Sequence, residues 1–158
     1  PMALGFLKYE EPICLYQYTA NRMSYRAADC YETEYVGFGA LEGDFCWSVA
    51  EDASVFCTLH PDNYLMQFEM GCTIPLEQLG KKELTVSVYV NNALAGELVI
   101  DESSNGGTLS LPISSLLLLD DTQNQVMLRC ELWNASTVTP NDKRQLGFPL
   151  KSLRFIRK

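Results

Sequence analysis

Proton transfer, nucleophilic attack and metal binding each need particular side chains at workable spacing, and this 158-residue chain offers few of them. Its only histidine, His60, stands just ahead of Pro61. A lone imidazole beside a turn reads as a surface or partly packed residue, and no second histidine completes a two-histidine metal set. The adjacent acids Glu10-Glu11, Asp101-Glu102 and Asp120-Asp121 have the residue types of a glycosidase acid and base. Each pair falls in a turn signal, where carboxylates are simply solvated. Asp120, Asp121, Gln123 and Asn124 offer oxygen ligands at a spacing that matches no calcium loop. The six cysteines, at 14, 30, 46, 57, 72 and 130, include no Cys-x-x-Cys pair for zinc or dithiol exchange. Neither a Gly-x-Ser-x-Gly elbow nor a phosphate-cradling glycine loop occurs. These residues lead us to expect no enzyme, no metal and no cofactor.

A different chemistry is better supplied. A pyranose ring presents C–H groups to an aromatic face and hydroxyls to planar, bidentate Asp, Glu, Asn and Arg side chains. Trp47, Trp133, Tyr16, Tyr18 and Tyr89 are candidate platforms near predicted strand ends. Core packing is the competing role for either tryptophan.

The charge balance narrows the partners. Twelve basic against 20 acidic residues give a net charge of −8. That leaves no footprint for the phosphate backbone of nucleic acid, and an anionic membrane surface is disfavoured for the same reason. The longest apolar run, Leu116-Leu117-Leu118-Leu119, is far short of the roughly 20 residues that cross a bilayer. The opening Pro1-Met2-Ala3-Leu4 lacks the basic and apolar stretches of a secretory signal and reads as the start of an excised fragment. The compartment therefore stays open, and with it the redox state of the cysteines.

The elements that must position these residues are strands. Ala53, Val55, Cys57 and Leu59 share one face of a predicted strand; Tyr64, Met66, Phe68, Met70 and Cys72 share one face of the next. Leu84, Val86, Val88 and Val90 alternate with polar partners up to Asn91-Asn92, a turn signal that predicts a hairpin with residues 94–100. Residues 102–107 read as a loop and 108–113 as the next strand. Over 125–134, Val126, Leu128, Cys130 and Leu132 take one face, which leaves Trp133 on the wetter face with Arg129 and Glu131. Residues 146–157 form the final strand, with Pro149 marking an edge or bulge. Residues 13–18, 35–39 and 45–49 are further strands, and 21–31 is a short helix or a loop. Cys57, Cys72 and Cys130 fall on apolar faces, as free thiols acting as small hydrophobes would. Eight to ten short strands with regular turn signals predict a single all-β domain over residues 1–158, a two-sheet antiparallel sandwich of jelly-roll type.

Two stretches carry a resemblance when read together. One is Gly37-Phe38-Gly39-Ala40-Leu41-Glu42-Gly43-Asp44-Phe45-Cys46-Trp47-Ser48 with Ala53 beyond it; the other runs from Pro140-Asn141-Asp142-Lys143-Arg144-Gln145-Leu146-Gly147 to Phe155, and the 86–95 hairpin lies between them. Together they resemble the β-sandwich accessory domains of bacterial glycosyltransferases and related polysaccharide-assembly enzymes, over residues 35–156. The chain departs from that pattern at Cys46, where a basic residue is common, and at Asn92, where glycine is usual.

The resemblance implies a galactose-binding-like sandwich that is non-catalytic and sits within a larger bacterial protein. Its partners would be a polysaccharide or oligosaccharide and a fused or neighbouring catalytic domain. The shared residues admit two roles. Asp142 and Arg144 can reach Glu42 and pin the closing strand through charge-assisted hydrogen bonds. Alternatively, Glu42, Trp47, Trp133, Asp142 and Arg144 line one rim and accept a saccharide. A rival expectation is an interaction domain that docks a catalytic neighbour or dimerises through a sheet face, with Trp133 and Tyr89 in the interface.

Overall fold

The computed structural model describes residues 14–19 and 34–157, with side chains from 35 onward. Twelve strands are defined among these residues: β1 Cys14–Thr19, β2 Glu34–Val36, β3 Cys46–Trp47, β4 Asp52–Thr58, β5 Tyr64–Met70, β6 Glu83–Val90, β7 Ala93–Asp101, β8 Thr108–Ile113, β9 Gln123–Cys130, β10 Trp133–Asn134, β11 Gln145–Leu146 and β12 Pro149–Arg157. They build two antiparallel sheets of five strands. One runs β2-β4-β9-β6-β7; the other runs β1-β12-β5-β8 with β3 also on β12, and β10-β11 form a separate ribbon. The molecule is an all-β sandwich of jelly-roll type, as its period-two rhythms predict. The 21–31 segment lies outside the described residues.

Alternation explains why these strands face as they do. On β4, β9 and β6 the residues Val55, Val126, Leu128, Val86 and Val88 are fully buried, while Thr58, Gln123 and Glu83 point outward to solvent. Tyr64, Met66 and Phe68 of β5 meet them from the opposite sheet together with Leu153 and Phe155 of β12. Burying one such Phe or Leu contributes about 1.5–3 kcal/mol, so the facing rows supply most of the drive to stack the sheets.

Turn chemistry sets the register. Asn91 and Asn92 both adopt positive φ, 51° and 70°, the pair a type I′ hairpin turn requires. Asparagine visits this left-handed region more readily than other non-glycine residues, so the missing glycine at 92 is tolerated. Asn91 is held further: its Nδ2 donates to Leu117 O at 2.9 Å and to Asn124 Oδ1 at 2.8 Å. Asn124, fully buried, also accepts from Leu119 N at 2.7 Å, which satisfies a polar group in the core.

Pro149 opens β12, and the expected bulge follows directly, the register against β5 shifting between Leu150 and Ser152. Its carbonyl accepts from Gly71 N at 3.0 Å, and it stands opposite Trp47 at the first position of the strand, where a missing N–H costs no ladder bond. The alternation beyond Cys130 is corrected. The strand ends at Cys130, and Trp133 belongs to the β10-β11 ribbon, opposite Leu146, where it is buried rather than on a wet face. Cys57 and Cys130 are buried free thiols, whereas Cys72 lies past the end of β5 and is half-buried. Among the described residues no helix is long and apolar enough to cross a membrane.

Candidate functional site

Antiparallel pairing gathers four connections at one end of the sandwich: residues 37–51, 71–82, 102–107 and 131–148. Backbone bonds stitch them together, with Met70 N donating to Gly107 O at 3.0 Å and Cys130 N to Glu51 O at 3.0 Å. Every residue singled out from the closing motif lies at this end.

The structure brings Glu42, Asp142 and Arg144 into one cluster. Arg144 Nη1 donates to Glu42 Oε2 at 2.6 Å, while Nε and Nη2 form a fork on Asp142 Oδ1 and Oδ2 at 2.9 and 2.7 Å. Two segments 102 residues apart in sequence are thereby tied. The fork from the guanidinium, with the Arg144 backbone N–H at 3.1 Å, holds the Asp142 carboxyl at a pKa of about 2. Both carboxylates in turn raise the Arg144 pKa, so the pair is fully ionised. This is the geometry of a pinned closing strand.

Trp47 and Trp133 lie at the same end of the sandwich. They are 8% and 7% exposed, stacked edge to face with centroids 5.5 Å apart at 82°. Phe45 packs edge-on against Trp47 at 6.0 Å, and Trp133 Nε1 donates to Gly147 O at 2.9 Å. Packing of this kind uses the ring surface and the N–H internally, so neither indole has an open face in this arrangement. Close contact continues around them. A Cβ on Gly71 would strike the Phe45 side chain, and one on Gly147 would strike the Ser48 hydroxyl that accepts from Phe148 N at 2.9 Å. The neighbouring thiols stay protonated: burial raises the Cys46 and Cys72 pKa values first, and the charge of Glu42 adds to it in both.

The 71–82 and 102–107 connections at this end enclose an open groove of about 870 Å³. One wall is the β5–β6 connection, including Glu77, Gln78, Lys81 and Lys82; the other is the β7–β8 connection with Asp101, Glu102, Ser103 and Asn105. Ile74 and Leu76 are buried at its base, 1% and 7% exposed. The walls are locked to each other by Asn105, whose Oδ1 accepts from Ile74 N at 2.8 Å and whose Nδ2 donates to Ile74 O at 2.7 Å. This imitates one rung of an antiparallel ladder.

The second wall is shaped by Asp101. Its Oδ1 accepts from Ser103 Oγ at 2.7 Å, Ser103 N at 2.9 Å and Ser104 N at 3.1 Å. These bonds, the Ser103 hydroxyl foremost, lower its pKa and fix the charged form. Gly106 then turns the chain at φ 82°, and a Cβ there would lie 2.8 Å from Thr73 Cγ2, so only glycine lets the walls approach this closely. Lys81 Nζ is engaged by Glu131 Oε2 at 3.3 Å. Glu77, Gln78, Lys82 and Glu102 are exposed and have no hydrogen bond or ion pair from their side chains among the described residues. Such a groove can exchange hydrogen bonds with a ligand rich in hydroxyls while its own walls stay still.

Sequence reading weighed Asp101-Glu102 as an acid pair, set it aside as a solvated turn, and singled out nothing on the other wall. The Asp-x-Ser-Ser pattern at 101–104 is the signal that was there to be used, since short acidic and hydroxyl side chains at that spacing cap their own turn.

No protein-family model matches the chain, and no curated protein matches it. Among solved structures it is similar to a family 35 carbohydrate binding module from Clostridium thermocellum, at 9% identity over 94% of this chain and 99% of that one, with a TM-score of 0.49. A family 35 carbohydrate binding module from an environmental isolate is similar at 19% identity over 76% and 86% of the two chains, with a TM-score of 0.46. An acetyl xylan esterase from Butyrivibrio proteoclasticus is similar at 16% identity, covering 90% of this chain but 33% of the esterase, with a TM-score of 0.47. None of these three reaches a TM-score of 0.5, so none bears on what this chain binds.

Proposed function

We propose that the domain is a non-catalytic carbohydrate-binding module working within a larger polysaccharide-related protein. The observation that carries this reading is the groove between the Asn105-locked walls. Planar acceptors, an amide and ammonium donors line it, a mixture suited to hydroxyls that both give and accept hydrogen bonds. Because the walls are already ordered, little conformational entropy is lost when a ligand settles. The cluster of Glu42, Asp142 and Arg144 belongs to the same end and is proposed to brace it, with Trp47 and Trp133 as packing there.

The test is titration of the folded domain with a panel of bacterial polysaccharides and oligosaccharides, with Gln78→Ala and Glu102→Ala as paired variants. Binding that weakens at least fivefold in either variant, with unchanged thermal midpoint, supports the groove. Absence of binding across the panel overturns the reading.

One further observation favours a second reading, a docking or dimerisation surface. Val36, Ser54, Met127, Tyr89 and Leu94 stand in register across all five strands of the β2-β4-β9-β6-β7 sheet, with Ser54 buried and Met127 and Tyr89 partly exposed. Val36 and Leu94 are 55% and 56% exposed at the two ends of that row. Light scattering on the wild type and Leu94→Lys separates the readings: a dimer that the lysine dissolves would support an interface.

A further inference from the structure

Three carboxylates, Glu77, Asp101 and Glu102, line the groove against two ammonium groups, Lys81 and Lys82. The balance is more acidic than that count, because Lys81 is shared with Glu131 outside the lining. Lys82 is left as the one lining ammonium with no ion pair among the described residues. The chain as a whole has the same sign, with a net charge of −8. A ligand bearing a carboxylate on each residue must therefore bring like charges into a groove that has only a single uncommitted cation to receive them.

Neutral hydroxyls face no such penalty. A carboxylate accepts from two hydroxyls, and an ammonium or amide donates to a hydroxyl or ring oxygen. An amino sugar gains further, because its ammonium finds Glu77 and Glu102 without another ion-pair partner to displace. We propose that the groove selects neutral and amino sugars and discriminates against uronic acids. This rests on the carbohydrate-binding reading above and names the substrate class of the same site.

The experiment compares three probes on one backbone. These are a β-1,4-linked gluco-hexaose, its counterpart oxidised to the carboxylate at each C6, and the matching glucosamine hexamer. They are used alongside an array of neutral, amino and uronate oligosaccharides so that linkage does not decide the result. The expected outcome is that neutral or amino members bind at least about fivefold more tightly than uronate members of the same linkage, the scale of one exposed charge interaction. A Glu77→Gln, Glu102→Gln double variant should narrow that preference, and raising the salt concentration should do the same by screening. Both substituted side chains are exposed, so the fold is expected to tolerate the change. Tighter binding of uronates than of their neutral counterparts overturns the selectivity and leaves carbohydrate binding standing, as does a preference that neither the variant nor salt alters. Failure of every member of the array to bind overturns both.

Discussion

Asn105 and Ile74, 31 residues apart, pair as if they were strand neighbours: a side-chain amide supplies both the acceptor and the donor that a backbone would. Through that exchange the two walls of the groove act as one body. Asn105→Ala should leave the Ile74 N–H and C=O without these partners and lower stability by about 1–3 kcal/mol. Glycan affinity should fall further than the folded fraction does. Urea denaturation and calorimetric titration of the same sample check both, and unchanged affinity would separate the lock from binding.

The Arg144–Asp142 fork predicts a particular acid response. Asp142 titrates at about 2 in the fold, below the ordinary carboxylate value of about 3.9. Its stabilising contribution is therefore complete above the unfolded value and is lost as pH falls from there towards 2. In Arg144→Gln that contribution should be absent. The wild type and variant should differ in denaturation midpoint at neutral pH and converge near pH 2. Salt should shrink the neutral-pH difference, because all three side chains are partly exposed.

Replacing Trp133 by Phe removes the donor to Gly147 O and the indole edge that meets Trp47. A loss of about 1–3 kcal/mol in stability is expected from the unpaired carbonyl. Glycan affinity per folded molecule should stay unchanged. Denaturation curves and titration again decide, and lost affinity at full stability would return Trp133 to the contact surface.

Burial pushes the Cys57 and Cys130 thiols each up to about 12. At pH 8 they should resist alkylation in the native protein and react once denaturant is added. Half-buried Cys72 should be modified ahead of them. Peptide mass spectrometry after timed alkylation gives the order, and early labelling of Cys57 would contradict its place in the core.

The strands were legible because burial imposes a rhythm on neighbouring residues. Leu84, Val86, Val88 and Val90 alternate in the sequence and all turn inward in β6. The same rhythm misled beyond Cys130, since nothing local marks the point where the chain leaves the sheet. Beyond that exit Trp133 pairs with Leu146, a long-range event. Glu42 and Arg144 could be matched in advance because the two stretches that hold them were read together as one resemblance, whereas the ring-on-ring burial of Trp47 and Trp133 depends on how two distant loops meet. The groove was hidden for the same reason. Its walls are defined by one asparagine bonding to the backbone of another loop, and no periodicity encodes such a bond.

Because Asn105, Asp101 and Gly106 hold the shape of the groove, the side chains at 77, 78, 82 and 102 are free of structural duty. Combinatorial libraries randomised at those four positions should yield a high proportion of well-folded clones, and new ligand preferences could be selected from them on an unaltered scaffold.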